Sequence, residues 1–202
     1  MIKIIPGNGF SVIKYYFRNM IEPAAGILLI ADPFLKDPNF LRTVVLLCEH
    51  EEQGSFGFVL NKQTEHTLDQ LVSDMEGFSL PVYYGGPVQM DTIHFLHQYP
   101  DLIPGSVKVG SDIYWGGNFE TLTALIKNKY VDFLKIKFFI GYSGWGNGQL
   151  HDEMEEKSWL TVQANRSLVF NISYDEIWKN SLKTLGGEYE LMINYPIDPQ
   201  LN

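Results

Sequence analysis

Residues 136–159 read IKFFIGYSGWGNGQLHDEMEEKSW, and this stretch decides the fold because it joins a strand, a run of glycines and an acidic helix without a break. Lys135 and Lys137 alternate with Ile136 and Phe138, the period of two expected of a strand with one face in water. Gly141, Ser143, Gly144, Gly146 and Gly148 then predict a tight turn, interrupted by Tyr142, Trp145 and Asn147. Such a turn can bare backbone amides beside two large rings, as small-molecule and peptide sites do. The same residues also read as a tight connection whose aromatics plug the core. The run His151, Asp152, Glu153, Glu155, Glu156 reads as the solvated face of a helix, with its carboxylates near the positive helix start.

Working outward, short apolar runs predict strands at 27–30, 43–49, 56–60, 82–84, 92–97, 107–109, 113–115 and 159–162. The first stops at Asp32-Pro33, since proline has no amide to donate and restricts its predecessor. The run at 43–49 lacks alternation, which marks a strand covered on both faces. It pairs with 56–60 as a hairpin with a longer loop. Helical spacing predicts a helix over 67–75 and another over 119–129 capped by Asn118. Ser173 and Glu176 fit a capping box opening a helix that ends at Gly186-Gly187. Residues 191–195 read as a last strand or an ordered tail. Strands and helices interleave without a regular βαβ rhythm, so the expected class is α+β: a single compact domain built on a mixed β-sheet with helices packed against it.

The 202 residues suit one domain, and a composition 45% apolar and 14% aromatic is that of a globular chain. A formal charge of −9 disfavours binding nucleic acid by phosphate neutralisation and long-range attraction to anionic membranes. The one cysteine, Cys48, lies in an apolar run and excludes an internal disulfide, which suits a reducing compartment. No run reaches the about eighteen apolar residues of a membrane span, so a soluble, cytoplasmic protein is expected. Residues 1–20 read as an N-terminal extension, disordered or not native, with Met20 as an alternative start; residues 21–202 form the single domain.

The chemical motifs are incomplete. Gly141-Tyr142-Ser143-Gly144-Trp145 matches a nucleophile elbow except at its fifth position, where Trp145 replaces glycine. His94 and His97 have a metal-like spacing only on a helix; on the strand predicted here they face opposite ways. The segment 54–62, GSFGFVLNK, lacks the phosphate-loop pattern. No catalytic residue, metal or cofactor is assigned.

Taken together, GILLIADPFLKDPNFLRTVVLLCEH, GSFGFVLNK, YYGGPVQMD with HFLH, YWGG, and GYSGWGNGQLHDE followed by SW closely resemble the AlgH/YqgE family of bacterial proteins, over residues 26–195. The resemblance implies a compact α+β domain and a regulatory, transcription-related role whose molecular basis is poorly defined. The chain departs from the family pattern at Gln63, where proline commonly follows the Asn-Lys pair, and in its first twenty residues. The leading expectation is a non-enzymatic protein acting through an unknown protein partner or small ligand, without membrane or direct nucleic-acid contact. Its concave site is expected to gather residues from strand ends and turns, where the demands of folding are weakest: Asp32, Asn61, Gly85, Gly86, His97, Ser143, Gly144, Trp145 and Gln149. The alternatives are a hydrolytic enzyme using Ser143 or Asp32 with His97, and a purely structural scaffold.

Overall fold

A computed structural model describes residues 21–195. The strands are β1 (Ile27–Ala31), β2 (Val44–Glu51), β3 (Gly54–Val59), β4 (Gln63–Thr67), β5 (Pro81–Tyr84), β6 (Val88–His97), β7 (Val107–Gly110), β8 (Ile113–Trp115), β9 (Ile136–Gly146) and β10 (Trp159–Gln163). The helices are α1 (Leu68–Leu71), α2 (Phe119–Lys127), α3 (Gln149–Glu155), α4 (Ile177–Leu185) and α5 (Tyr189–Met192). The expected reading of residues 1–20 as an extension lies outside the described residues.

The strands form one mixed sheet in the order β10-β1-β2-β3-β9-β6-β8-β7, with β5 beside β9 and β4 beside β5. Strand β9 is its hub. Strand β6 runs antiparallel along one edge, pairing Phe95 with Phe138 and Val88 with Tyr142. The opposite edge is divided: β5 pairs parallel with the first half, Val82 with Phe138, and β3 pairs antiparallel with the second, Phe56 with Gly144. Gly141 separates the halves with φ at 65°, and a Cβ there would stand 2.5 Å from the Gly86 carbonyl oxygen. The sheet also curls. A Cβ on Gly26, just before β1, would lie 2.4 Å from the Val109 oxygen of β7, so the far edge has returned to the start of the sheet.

The curl encloses one core and leaves two outside. Leu28, Ile30, Leu46, Phe58 and Phe139 fill the inside with Ile177, Trp178 and Leu182 of α4. On the outer surface of β1–β3, Leu29, Val45 and Val59 pack with Trp145, Trp159 and Leu150 of α3. Outside the other half, Val82, Phe95 and Phe138 meet Leu122 and Ile126 of α2. Burial on both faces explains why β1 and β2 carry unbroken aliphatic runs.

The α+β class and the mixed sheet agree with the sequence reading; several local readings do not. The glycine run after Ile140 is not a turn: β9 continues through Gly146, and only Asn147 and Gly148 turn into α3. Cross-strand pairing with β3 holds Gly144 and Gly146 extended, and such a partner is invisible in the local sequence. The β2–β3 hairpin is tighter than expected, since Glu51 pairs with Gly54 and leaves two residues to turn. The helix expected over 67–75 is one turn, and β4 precedes it. Ser173 forms no capping box; its hydroxyl donates to Asp175, and a 3-10 turn leads into α4. Residues 189–192 are helical rather than extended.

Two polar groups, one half-buried and one buried, also depart from the sequence reading. Glu153 does not belong to a uniformly solvated face. One of its carboxylate oxygens accepts from the indoles of both Trp145 and Trp159, at 2.9 and 2.7 Å, and the other accepts from Gln149 at 3.0 Å. Phe40 closes the cluster, with ring centroids 6.2 Å from Trp145 and 5.4 Å from Trp159. Lys137, expected on a wet face, is 7% exposed. Its Nζ lies 4.1 Å from the Tyr83 ring centroid and 3.4 Å from the Val169 oxygen, and burial pulls its pKa from 10.5 to about 7.

Glu153→Ala leaves two buried indole donors without an acceptor, so chemical denaturation should show a loss of about 2–4 kcal/mol. Glu153→Gln, which keeps a carbonyl oxygen, should lose less. Lys137→Met removes an ammonium held without a carboxylate and should stabilise by about 1–4 kcal/mol at pH 7. The folded pKa lies below the unfolded one, so the unfolded chain binds the proton more tightly. The lysine's cost to stability is therefore absent above about pH 10.5 and grows as pH falls to about 7. The gap between variant and wild type in urea melts should widen over that range; a constant gap contradicts this account.

Candidate functional site

At the end of the β2–β3 hairpin, beside the second half of β9, a cleft of about 550 Å³ opens to solvent. Its shape follows from strand register. Glu49 pairs with Phe56 and Glu51 with Gly54 across the hairpin; Phe56 pairs with Gly144 and Gly54 with Gly146 across the next pair. Residues directly opposite in antiparallel strands share a face, so this row sets two carboxylates and one ring beside three positions without side chains. Gly54 and Gly144 make the floor, and Gly146 leaves open space beyond it. A Cβ on Gly146 would meet nothing within 4 Å, one on Gly144 would have the Tyr142 ring and Val88 as its nearest neighbours at 3.3 and 3.8 Å, and one on Gly54 would stand 2.6 Å from the Trp145 oxygen.

Aromatic rings make the walls. Phe56 lies 4.8 Å from Trp115 at 64° and 5.9 Å from Tyr142 at 79°, centroid to centroid. His94 stands 5.9 Å from Tyr142 at 85°, with its Nε2 3.0 Å from the Thr92 hydroxyl. Burial lowers the His94 pKa, so the ring is neutral at pH 7. His94 and Trp115 also border a neighbouring cavity of about 300 Å³, walled beyond them by Val72, Phe95 and Phe119.

Of the residues expected to form a site, Gly144 and Trp145 line this cleft. Trp145 does so at its margin, because its indole is 5% exposed and held by Glu153. Gly85, Gly86 and Ser143 meet one another in the backbone below. The buried Ser143 hydroxyl donates to the Gly85 oxygen at 3.0 Å, and a Cβ on Gly86 would lie 2.3 Å from the Ser143 nitrogen.

Asp32, Asn61, His97 and Gln149 have partners elsewhere. Asp32 accepts from the Phe34 amide at 2.8 Å, and burial raises its pKa. Asn61 bridges the Val44 amide and the Arg42 carbonyl, both at 2.8 Å. Gln149 accepts from the Gly146 amide and donates to Glu153. His97, fully buried, accepts from the Tyr99 amide through Nδ1, which puts its proton on Nε2, 3.0 Å from both the Gly116 oxygen and the Ser106 hydroxyl. No hydrogen bond joins His97 to Ser143 or Asp32 among the described residues. Nor do His, Cys, Asp and Glu side chains there gather in a group able to hold a metal ion.

The sequence reading passed over Glu49, Glu51, Phe56 and Trp115, and noted Tyr142 only as a ring beside the glycines. A signal for them was present: Gly54-Phe56 and Tyr142-Gly144-Gly146 alternate glycine with aromatic at period two, which on adjacent strands leaves a hollow beside a ring.

Comparison with known proteins agrees with this architecture. The family model described as AlgH-like matches residues 28–190. A UPF0301 protein of Chlorobium limicola is 44% identical over 177 residues, covering 88% of this chain and 95% of the relative. A Cytophaga hutchinsonii UPF0301 protein is 42% identical over 178 residues, covering 88% and 98%. The solution structure of the AlgH protein from Pseudomonas aeruginosa superposes with a TM-score of 0.68 at 28% identity, over 85% of this chain and 94% of that one. A crystal structure from Corynebacterium diphtheriae shares the fold at a TM-score of 0.69 and 19% identity, over 87% and 94%. Since the family model takes in every strand of the sheet and the relatives align over nearly their whole length, the chain belongs to the AlgH-like family.

Proposed function

We propose that this protein is a cytoplasmic, non-enzymatic regulator, transcription-related through what it contacts, that works by holding a small ligand or a protein segment in the aromatic cleft. The observation that carries this reading is the cleft itself. An open concavity of about 550 Å³, apolar in its walls and charged at one rim, has the size and make-up of a ligand pocket. Direct contact with DNA draws no support from a net charge of −9. In the same way, the hydrolytic alternative draws none from Ser143, whose buried hydroxyl gives its proton to a carbonyl.

A thermal-shift screen of neutral, anionic and cationic metabolites tests the reading. At least one compound should raise the melting temperature of the wild type, by about 5 °C or more at a hundredfold excess over Kd. Gly144→Leu, which fills the floor of the cleft at a position with ordinary φ, and Trp115→Ala should abolish the shift. A screen without a hit, or hits unchanged in both variants, overturns the assignment.

A further inference from the structure

The chemistry of the cleft walls narrows its ligand, and this inference rests on the cleft being a binding site. We propose that the ligand is a small organic cation, an alkylammonium or guanidinium compound, seated against Phe56, Trp115 and Tyr142 with Glu49 and Glu51 as its counter-charges.

Three observations converge on that chemistry. First, the rings meet at 64° and 79°, so they form adjoining walls of a box instead of a stacked layer. An aromatic box attracts cations because each ring carries negative potential on its faces. Second, the charges in the cleft have one sign. Glu49 and Glu51 line it with no lysine or arginine, and neither carboxylate forms an ion pair among the described residues. Cross-strand register puts Glu49 directly beside Phe56, within reach of the same guest. A neutral His94 adds no opposing charge.

Third, the fold already uses this interaction and leaves these rings out of it. Arg42 lies 5.0 Å from the Trp178 centroid, Lys62 5.8 Å from Tyr84, Lys135 5.9 Å from Tyr99 and Lys137 4.1 Å from Tyr83. Among the described residues no internal cation sits over Phe56, Trp115 or Tyr142. The volume points to a free small molecule: the cleft is far larger than one ammonium head, so the ligand's body fits inside with its charged end.

Choline and its uncharged isostere 3,3-dimethylbutan-1-ol separate charge from shape and can be titrated calorimetrically into the full chain, alongside spermidine, arginine amide and an arginine-containing tripeptide. At least one free cation should bind, and choline, if it binds, about tenfold or more tighter than the isostere. Glu49→Gln with Glu51→Gln, on an exposed hairpin where folding is undisturbed, should weaken the cation about tenfold and flatten its salt dependence. Trp115→Ala should weaken it further, and Trp115→Phe should restore part of the loss. Equal binding of the isostere, binding of the tripeptide alone, or no cation bound at millimolar concentration overturns the inference. If the broad screen instead finds a neutral or anionic ligand lost in Gly144→Leu, the binding function stands and only the cationic assignment falls.

Discussion

One strand with one edge to share sets the form of this molecule. Strand β9 is eleven residues long and mostly buried, so its backbone groups need partners within the sheet. Strand β5 satisfies the first half and β3 the second, and the two run in opposite directions beside it. No regular strand can serve both without a break, so the chain places a left-handed glycine, Gly141, at the change-over. The seal around that point is made from backbone and one hydroxyl: Gly85 bonds to Ile140, Val59 to Gly85, and Ser143 to Gly85 again. These residues first suggested a site because they are small or polar, yet they are small because three segments of backbone meet there.

Beyond the break, alternation sorts the residues by role. Ser143 and Trp145 point into packed structure, while Tyr142 and Gly144 face the cleft. The glycine-rich segment is therefore a plug and a receptor at once, on opposite faces of a single strand. Glu153 anchors the Trp145 indole together with that of Trp159 on the face behind the cleft.

The architecture was largely legible in the sequence, the site only in part. Strand positions, the Asn118 cap, the Gly186 stop and the buried character of Cys48 follow from local chemistry, and all recur in the fold. What escaped depends on neighbours far along the chain. Extended glycines look like turns until β3 is known to lie beside them. Lys137 looks wet until the segment around Val169 covers it, and Glu153 looks like one of several surface acids until the indoles of Trp145 and Trp159 are brought to it by α3. Paired glycines on two strands form a hollow only when the register is known. Asn61 and His97 were singled out as polar residues at strand ends, and their place there is explained by the amides and carbonyls they satisfy.

The curl that returns β7 to Gly26 has a temporal side. Strand β1 pairs with β10, so Ile27 finds Gln163 only after most of the chain has been made. Until then a fully apolar strand holds one bare edge, and its closure is delayed by the wide sequence separation that slows folding in general. A chain with this topology emerges from the ribosome with its first strand paired early to β2 on one side and closed late on the other, and for that interval the open edge is exposed to self-association.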